Sequence, residues 1–260
     1  MIVLNEHEWA ENMINSCLLG KKPFETLCRV ARYYIDNNLP KAEVRKKLDA
    51  FIMRCEPLIS LPKWADAMDA ALARALKYEA VNIECIKITK PEMEKIALLP
   101  SLQLRRLAFT LLCLAKYWDI ITRSENHWVN SADEDIMKLA NIKTSVKRQC
   151  SLYHRLSELG FIQFSKKVDN TNVRVCFMEG GKTAASITDF RNLGYQYLKY
   201  IGEPYFECEN CGITSKYDKP NNLKSMAKQK YCKACTRDIY IQQTIDSVMR
   251  CRRMNNPLPC

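Results

Sequence analysis

The chain has 260 residues, 47% hydrophobic and 27% charged, a composition that excludes wholesale disorder and collagen-like or low-complexity structure. At roughly 100–200 residues per domain it has room for about two domains and a small appended module. Lys and Arg number 40 against 29 Asp and Glu, and the net charge of +11 favours a polyanionic partner, either nucleic acid or an anionic membrane face.

Met1–Leu4 runs directly into Asn5–Glu8 with no basic segment and no long apolar stretch, so no secretory signal is expected. Four helices are expected next, at 3.6-residue periodicity. The first, Glu6 to Leu19, stops at Gly20. The second runs from Pro23 to Asn37 with Leu27, Val30, Ala31 and Tyr34 on one face. The third starts at Pro40 and carries Val44, Leu48, Phe51, Ile52 and Cys55, and the fourth starts at Pro62 and carries Trp64, Met68, Leu72 and Leu76. Proline suits the first helical turn because its missing N–H has no intrahelical partner there. Residues 1–80 thus read as a helical domain with no catalytic cluster.

Ala80 to Ile88 alternates and is β-branched, so a short strand is expected, followed by a short helix from Pro91 through Ile96. Ser101 to Ile121 carries a broad apolar stripe (Leu104, Leu107, Ala108, Leu111, Leu112, Ala115, Trp118) and reads as a central core helix. The longest apolar-looking run, Ala108 to Ala115, falls far short of the ~20 residues that span a bilayer. Trp128-Val129 reads as extended. A helix over Asp133–Ala140, a turn at Asn141-Ile142-Lys143 and a helix N-capped by Thr144 and ended by Gly160 follow. Phe161–Phe164 and Val173–Phe177 then alternate like a hairpin. This order is that of a winged helix, assigned to 81–201.

In the second of the paired helices, Val146, Cys150, Tyr153 and Leu156 share one face, and Lys147, Arg148, Ser151, His154 and Arg155 share the other. A recognition helix needs such a polar, basic side to enter the major groove. Lys143 in the preceding turn and Lys166, Lys167 and Arg174 in the wing extend it. The 36 residues from Lys143 to Met178 hold seven basic residues against Glu158 and Asp169. These nine polar and basic residues are the candidate nucleic-acid contacts. Ile187 to Tyr200 reads as a helix whose aromatic residues (Phe190, Tyr195, Tyr197, Tyr200) pack on the domain, with Gly194 speaking against helix.

Thirteen cysteines are present, and nine are scattered singly; Cys28, Cys55, Cys113 and Cys150 lie in apolar periodic segments and read as small buried hydrophobes of a reducing compartment. The remaining four form two C-x2-C pairs, Cys208/Cys211 and Cys232/Cys235, separated by twenty residues. Two such pairs suit one tetrahedral Zn²⁺ held by four thiolates, and Gly212 eases the turn after the first. Four thiolates fill the shell, so the expected zinc is structural. The insert from Gly212 to Tyr231 carries Lys216, Lys219, Lys224, Lys228 and Lys230, as a zinc-ribbon finger that touches phosphate would. Arg237 to Met254 reads as an amphipathic helix (Ile239, Ile241, Ile245, Val248, Met249). Residues 202–260 are assigned to the ribbon and this helix. The expected fold class is mainly α with small β elements: an N-terminal helical domain, a winged-helix domain, and a C-terminal four-cysteine zinc ribbon plus terminal helix.

Enzymatic chemistry is not expected. Gly180-Gly181-Lys182-Thr183 lacks the glycine of a phosphate loop, since Cys176 stands five residues before Gly181. The three histidines, His7, His127 and His154, all precede the cysteine pairs. Glu92, Glu94 and Asp133-Glu134-Asp135 sit where helix N-termini attract carboxylates.

The segments AFTLLCLAKY (108–117), DIMKLANIKTSVKR (135–148), SKKVDNTNVRVCF (165–177) and CENCG…YCKAC (208–235) resemble those of phage- or prophage-encoded winged-helix proteins of Firmicutes with a C-terminal zinc ribbon. The resemblance covers about 88–235 and leaves the first 80 residues out. It implies a cytoplasmic protein of a bacterial host cell that binds DNA, or less readily RNA, in replication or transcription control. As the alternative, it implies an anti-defence role, anti-CRISPR proteins included, in which the chain grips a host nucleoprotein complex. Neither role involves a membrane.

Overall fold

The computed structural model describes residues 2–56, 60–166 and 172–255, with side chains through 251. Of these residues 57% are helical and 10% in strands, so helices build the cores and the sheets are small. The chain divides into two compact units, 1–86 and 87–260.

The first unit is built of four helices: α1 (Glu6–Ser16), α2 (Pro23–Asp36), α3 (Lys41–Cys55) and α4 (Leu61–Lys77). The Asn5 side chain caps α1 by accepting from the Glu8 amide at 3.0 Å. The helix ends at Cys17, left-handed at φ 51°, rather than near Leu19–Gly20. That earlier turn lets Leu19 point into the core. Helix α2 packs against α1, α3 and α4 through Leu27, Cys28, Val30 and Ala31. In α4 the inward face is Met68, Ala71, Leu72 and Ala75, whereas the expected Leu76 is 54% exposed. Small alanines at the contact suit close helix approach. The expected strand at Ala80–Ile88 forms only in part: residues 86–88 are strand, whereas the first half makes an isolated bridge with the N-terminal segment, Glu6 N donating to Val81 O at 2.8 Å and Ile83 N to Leu4 O at 2.7 Å. The buried Glu6 carboxylate joins these pieces. It accepts from Arg29 at 3.2 Å, from Arg32 and from the Val81 amide at 3.3 Å.

Strand β1 (Ile86–Thr89), which begins at the boundary residue and leads into the second unit, is paired with β5 (Thr183–Ile187). Then come α5 (Lys90–Ala97) and α6 (Leu102–Thr122), the latter buried on most sides from Leu104 to Ala115. In the first turn of α5, Glu92 is fully buried, and its carboxylate accepts from Thr89 N and Lys116 Nζ, both at 2.8 Å, and from Glu179 N at 3.1 Å. Around α6 stand β2 (Trp128–Val129), α7 (Asp133–Leu139), α8 (Val146–Glu158), β3 (Ile162–Phe164) and β4 (Val173–Val175). The three strands form one antiparallel sheet in the order β2-β4-β3. Its register pairs Trp128 with Arg174 and Arg174 with Gln163, while Val173 and Val175 on the other face are buried.

The expected helix over Ile187–Tyr200 is corrected. Thr183–Ile187 is strand β5, and helix α9 spans only Leu193–Tyr200. Phe190 packs on Tyr117, Tyr197 on Phe109 and Tyr195 on Tyr205, at centroid distances of 4.9–5.6 Å. Gly194 is required where it stands, because a Cβ there would overlap the Ala140 carbonyl. The chain continues with the hairpin β6 (Tyr205–Glu207) and β7 (Thr214–Lys216), α10 (Leu223–Lys228) and α11 (Lys233–Asn255). Ile241, Ile245, Val248 and Met249 of α11 are all about half exposed, so its expected apolar face is open to solvent. Among the single cysteines, Cys28 and Cys113 are buried as expected, Cys55 is half-buried and Cys150 is exposed. No described helix is long and apolar enough to cross a membrane.

Replacing Glu6 by Ala leaves two nearly buried guanidinium groups without their carboxylate and is expected to cost about 3–5 kcal/mol. Faster hydrogen exchange of the α2 amides would register it, and unchanged exchange would contradict the cluster's role. Gly194→Ala should cost about 1–3 kcal/mol through backbone displacement. A urea midpoint equal to wild type would contradict the close approach.

Candidate metal centre and basic helix face

The hairpin β6–β7 places Cys208 just after a strand, and Gly212 at φ 70° turns the chain back behind Cys211. Cys208 N donates to Ile213 O at 3.1 Å and Gly212 N to Cys208 O at 2.9 Å, which fixes this knuckle. The second pair is carried by α11: Cys232 precedes its first residue and Cys235 lies in its first turn. The ligand atoms of Cys208, Cys211, Cys232 and Cys235 all lie within 4.8 Å of one another. A tetrahedral ion with metal–sulfur bonds of about 2.3 Å spaces its sulfurs about 3.8 Å apart. The Cys211 and Cys232 Sγ atoms stand at 3.8 Å.

The surroundings favour thiolate at Cys208. Cys232 N donates to Cys208 Sγ and Asn210 Nδ2 to Cys235 Sγ, each at 3.3 Å. Burial works to raise the Cys208 pKa, but amide N–H groups of Cys232, Cys211 and Asn210 outweigh it and hold the thiol down at about 6. Burial and the neighbouring thiols push Cys211 up to about 12. The protein alone thus favours the Cys208 thiolate, whereas Cys211 and Cys235 are held up as thiols, which a cation among them would reverse. The four sulfurs could hold one divalent metal ion and leave no position open for a substrate. Apart from these cysteines, the local cluster contains only Ile213 and Tyr231, so the ligands themselves are most of the ribbon's core.

The basic face lies on α8. Ser145, not Thr144, caps this helix, its Oγ accepting from Arg148 N at 3.4 Å. Leu152, Tyr153 and Leu156 are buried. Val146, 73% exposed, and Cys150, also exposed, lie on that face by helical period but are not buried, because they lie on the turns that reach beyond the core. Lys147, Arg148, Ser151, His154 and Arg155 are all exposed. Lys143 is exposed in the turn before the helix and Lys166 just after β3. The His154 ring lies 5.2 Å from that of Phe164, which ties the helix to β3. Arg174 is exposed on the sheet face opposite buried Val173 and Val175, beside Trp128 and Gln163. Lys167 lies outside the described residues. Arg155 pairs with Glu158 at 2.9 Å, an exposed contact worth little. Among the described residues, Lys143, Lys147, Arg148, Lys166 and Arg174 make no ion pair. In the ribbon, Lys230 pairs with Glu209 and Lys233 with Asp218, while Lys216, Lys219, Lys224 and Lys228 are exposed without an acidic partner among the described residues.

Charge divides sharply between the units. Residues 1–86 hold 12 basic and 12 acidic residues, and residues 87–260 hold 28 and 17. The entire positive excess belongs to the unit that carries α8 and the cysteines.

Cys232→Ser removes one of four ligands and should prevent stoichiometric metal retention through dialysis, read by elemental analysis. Wild-type protein should lose metal as pH falls, because protons compete for the thiolates. A metal content indifferent to both would contradict the four-sulfur site. Compared with protein-family models, curated proteins and solved structures, the chain matches none.

Proposed function

We propose that residues 87–260 form a non-enzymatic nucleic-acid-binding unit, in which a winged helix reads duplex DNA and a zinc ribbon contacts the backbone. The winged helix is α6–β2–α7–α8–β3–β4, with α8 as the recognition helix, and it corresponds to the 81–201 assignment. The ribbon and terminal helix occupy 202–260, held by one structural Zn²⁺ on Cys208, Cys211, Cys232 and Cys235. Zinc fits because an all-sulfur tetrahedral set is its usual structural site.

The observation that carries the reading is the α8 side of this unit: exposed cations, of which Lys143, Lys147, Arg148, Lys166 and Arg174 have no acidic partner among the described residues, in a unit that holds all of the excess positive charge. The element order and the β2-β4-β3 sheet support the winged-helix assignment, since that sheet aligns a hairpin wing beside the helix that follows the turn. Phosphates bound by Lys143, Lys147, Arg148, Arg155, Lys166, Lys167 and Arg174 would release counterions. Ser151 and His154 offer hydrogen-bonding groups to base edges.

A second reading is favoured by one observation, the neutral first unit with its 12 basic and 12 acidic residues. Phosphate binding does not explain such a surface. It suits contact with a protein of a host nucleoprotein complex, as in the anti-defence role.

Duplex binding followed by fluorescence anisotropy should weaken steeply with salt, the logarithmic slope growing by about 0.9 for each phosphate contact. Arg148→Ala with Arg155→Ala should lower the slope by roughly two such contacts and weaken binding about tenfold or more. Affinity indifferent to salt and to both substitutions would overturn the DNA reading. A host complex held by that double variant after nuclease treatment would favour the second.

A further inference from the structure

Two asparagines connect the ribbon to the turn before α8. Asn141 follows α7 at φ 55° and Asn192 precedes α9 at φ 56°, both in the left-handed region that Asn tolerates better than most residues. Asn192 Nδ2 donates to Thr214 O of the ribbon strand β7 at 3.0 Å. Asn141 Nδ2 donates to Asn192 Oδ1 at 2.9 Å, and Asn141 Oδ1 accepts from Tyr195 N at 3.1 Å. A parallel tie runs beside them: the Arg191 guanidinium, held by Asp189 at 2.7 Å, donates to Cys211 O at 2.6 Å. The residues at the ribbon end of both ties, Cys211 and Thr214, are a sulfur ligand and the third residue after it. At the other end, Asn141 opens the turn that carries Lys143 and leads to the Ser145 cap of α8.

We propose that Asn141 and Asn192 are positioning residues through which metal loading of the ribbon sets the order of the α7–α8 turn, and with it the affinity of the α8 face for duplex DNA. The proposal deepens the function proposed above and rests on that reading for its second half. The knuckle end of the ribbon has little core beyond its cysteines, so loss of the metal frees residues 208–213, while β6 and β7 keep their ladder and the Phe206–Tyr217 contact. The Cys211 carbonyl then ceases to be a fixed acceptor, and the Thr214 carbonyl, on the ladder pair nearest the knuckle, loses the support on that side. Asn192 loses its anchor, and Asn141 loses the partner that orients its amide toward Tyr195 N. Helix α9 itself stays attached through the Tyr197–Phe109 contact, so the effect concentrates on its first turn and on residues 141–145.

The test uses the full chain with metal bound and after chelation, with hydrogen exchange as the first readout and duplex affinity as the second. Chelation should speed exchange in the ribbon and also at the Tyr195 amide and residues 141–145. Duplex affinity should fall about fivefold or more, the usual lower range of coupling between sites. The decisive variant is Asn192→Asp. It keeps the left-handed residue and an oxygen facing Asn141 Nδ2, but it cannot donate to Thr214 O. With full metal content it should show the faster turn exchange and weaker binding of the chelated protein, and chelation should change neither further. Ribbon exchange that rises on chelation while the Tyr195 amide and the turn stay unchanged overturns the proposal. So does an Asn192→Asp protein that behaves as wild type. If the turn loosens but duplex affinity holds, control of binding is overturned. If metal-loaded wild type binds no duplex while the exchange remains coupled, the proposed function falls and the positioning link stands.

Discussion

Four sulfurs within 4.8 Å of one another cannot all carry negative charge unless a cation sits among them. Most of the architecture after residue 200 follows from that constraint. The two knuckles are brought together by a short hairpin and by the start of a long helix, and little apolar surface is buried between them. A thiol held down at about 6 beside one pushed to about 12 is the electrostatic form of the same constraint. Amide N–H groups stabilise the first charge, and burial and the neighbouring thiols resist the next. Four sulfurs so placed could fill the shell of one ion, the arrangement of a metal that supports folding.

The ribbon is not an isolated appendage. Its strands pack on α9, and its backbone carbonyls accept hydrogen bonds from Arg191 and Asn192. Helix α9 in turn lies so close to the end of α7 that only glycine fits at position 194. The metal knuckle, α9 and the turn before α8 therefore form one continuous set of polar and steric contacts. The basic face of α8 rises from this support with its cations exposed. The first unit contrasts with it: balanced charge, a helical core and a buried carboxylate shared by two arginines.

What could be read from the sequence was what depends on local spacing. The two C-x2-C pairs encode their own geometry, because a tight turn brings each pair to one point. Helices α2, α3 and α6 were evident from long apolar stripes flanked by proline or serine. The polar face of α8 was correctly grouped, since 100° per residue needs no tertiary information. What failed depended on distant partners. Strand β5 has no apolar alternation and forms against β1, some ninety residues earlier, so Ile187 was absorbed into a helix that begins only at Leu193. Val146 and Cys150 follow the right period but lie beyond the edge of the core, where apolar character says nothing about burial. Leu76 lost its place to Ala71 and Ala75 because a close helix contact selects small side chains. Asn141 and Asn192 gave only a weak signal, an Asn after or before a helix, and their pairing across fifty residues is a product of the fold. Gly194 counted against a helix for the reason that it is needed there: the missing Cβ.

The central claim is that the α8 side of the second unit is the surface that meets nucleic acid. Lysine acetylation footprinting by mass spectrometry, with and without duplex DNA, tests it most directly. The account predicts that Lys143, Lys147 and Lys166 become protected when duplex is added, while Lys41, Lys46 and Lys63 of the first unit react as before. Unchanged reactivity at Lys147 under conditions where duplex is bound, or protection confined to the first unit, would contradict it.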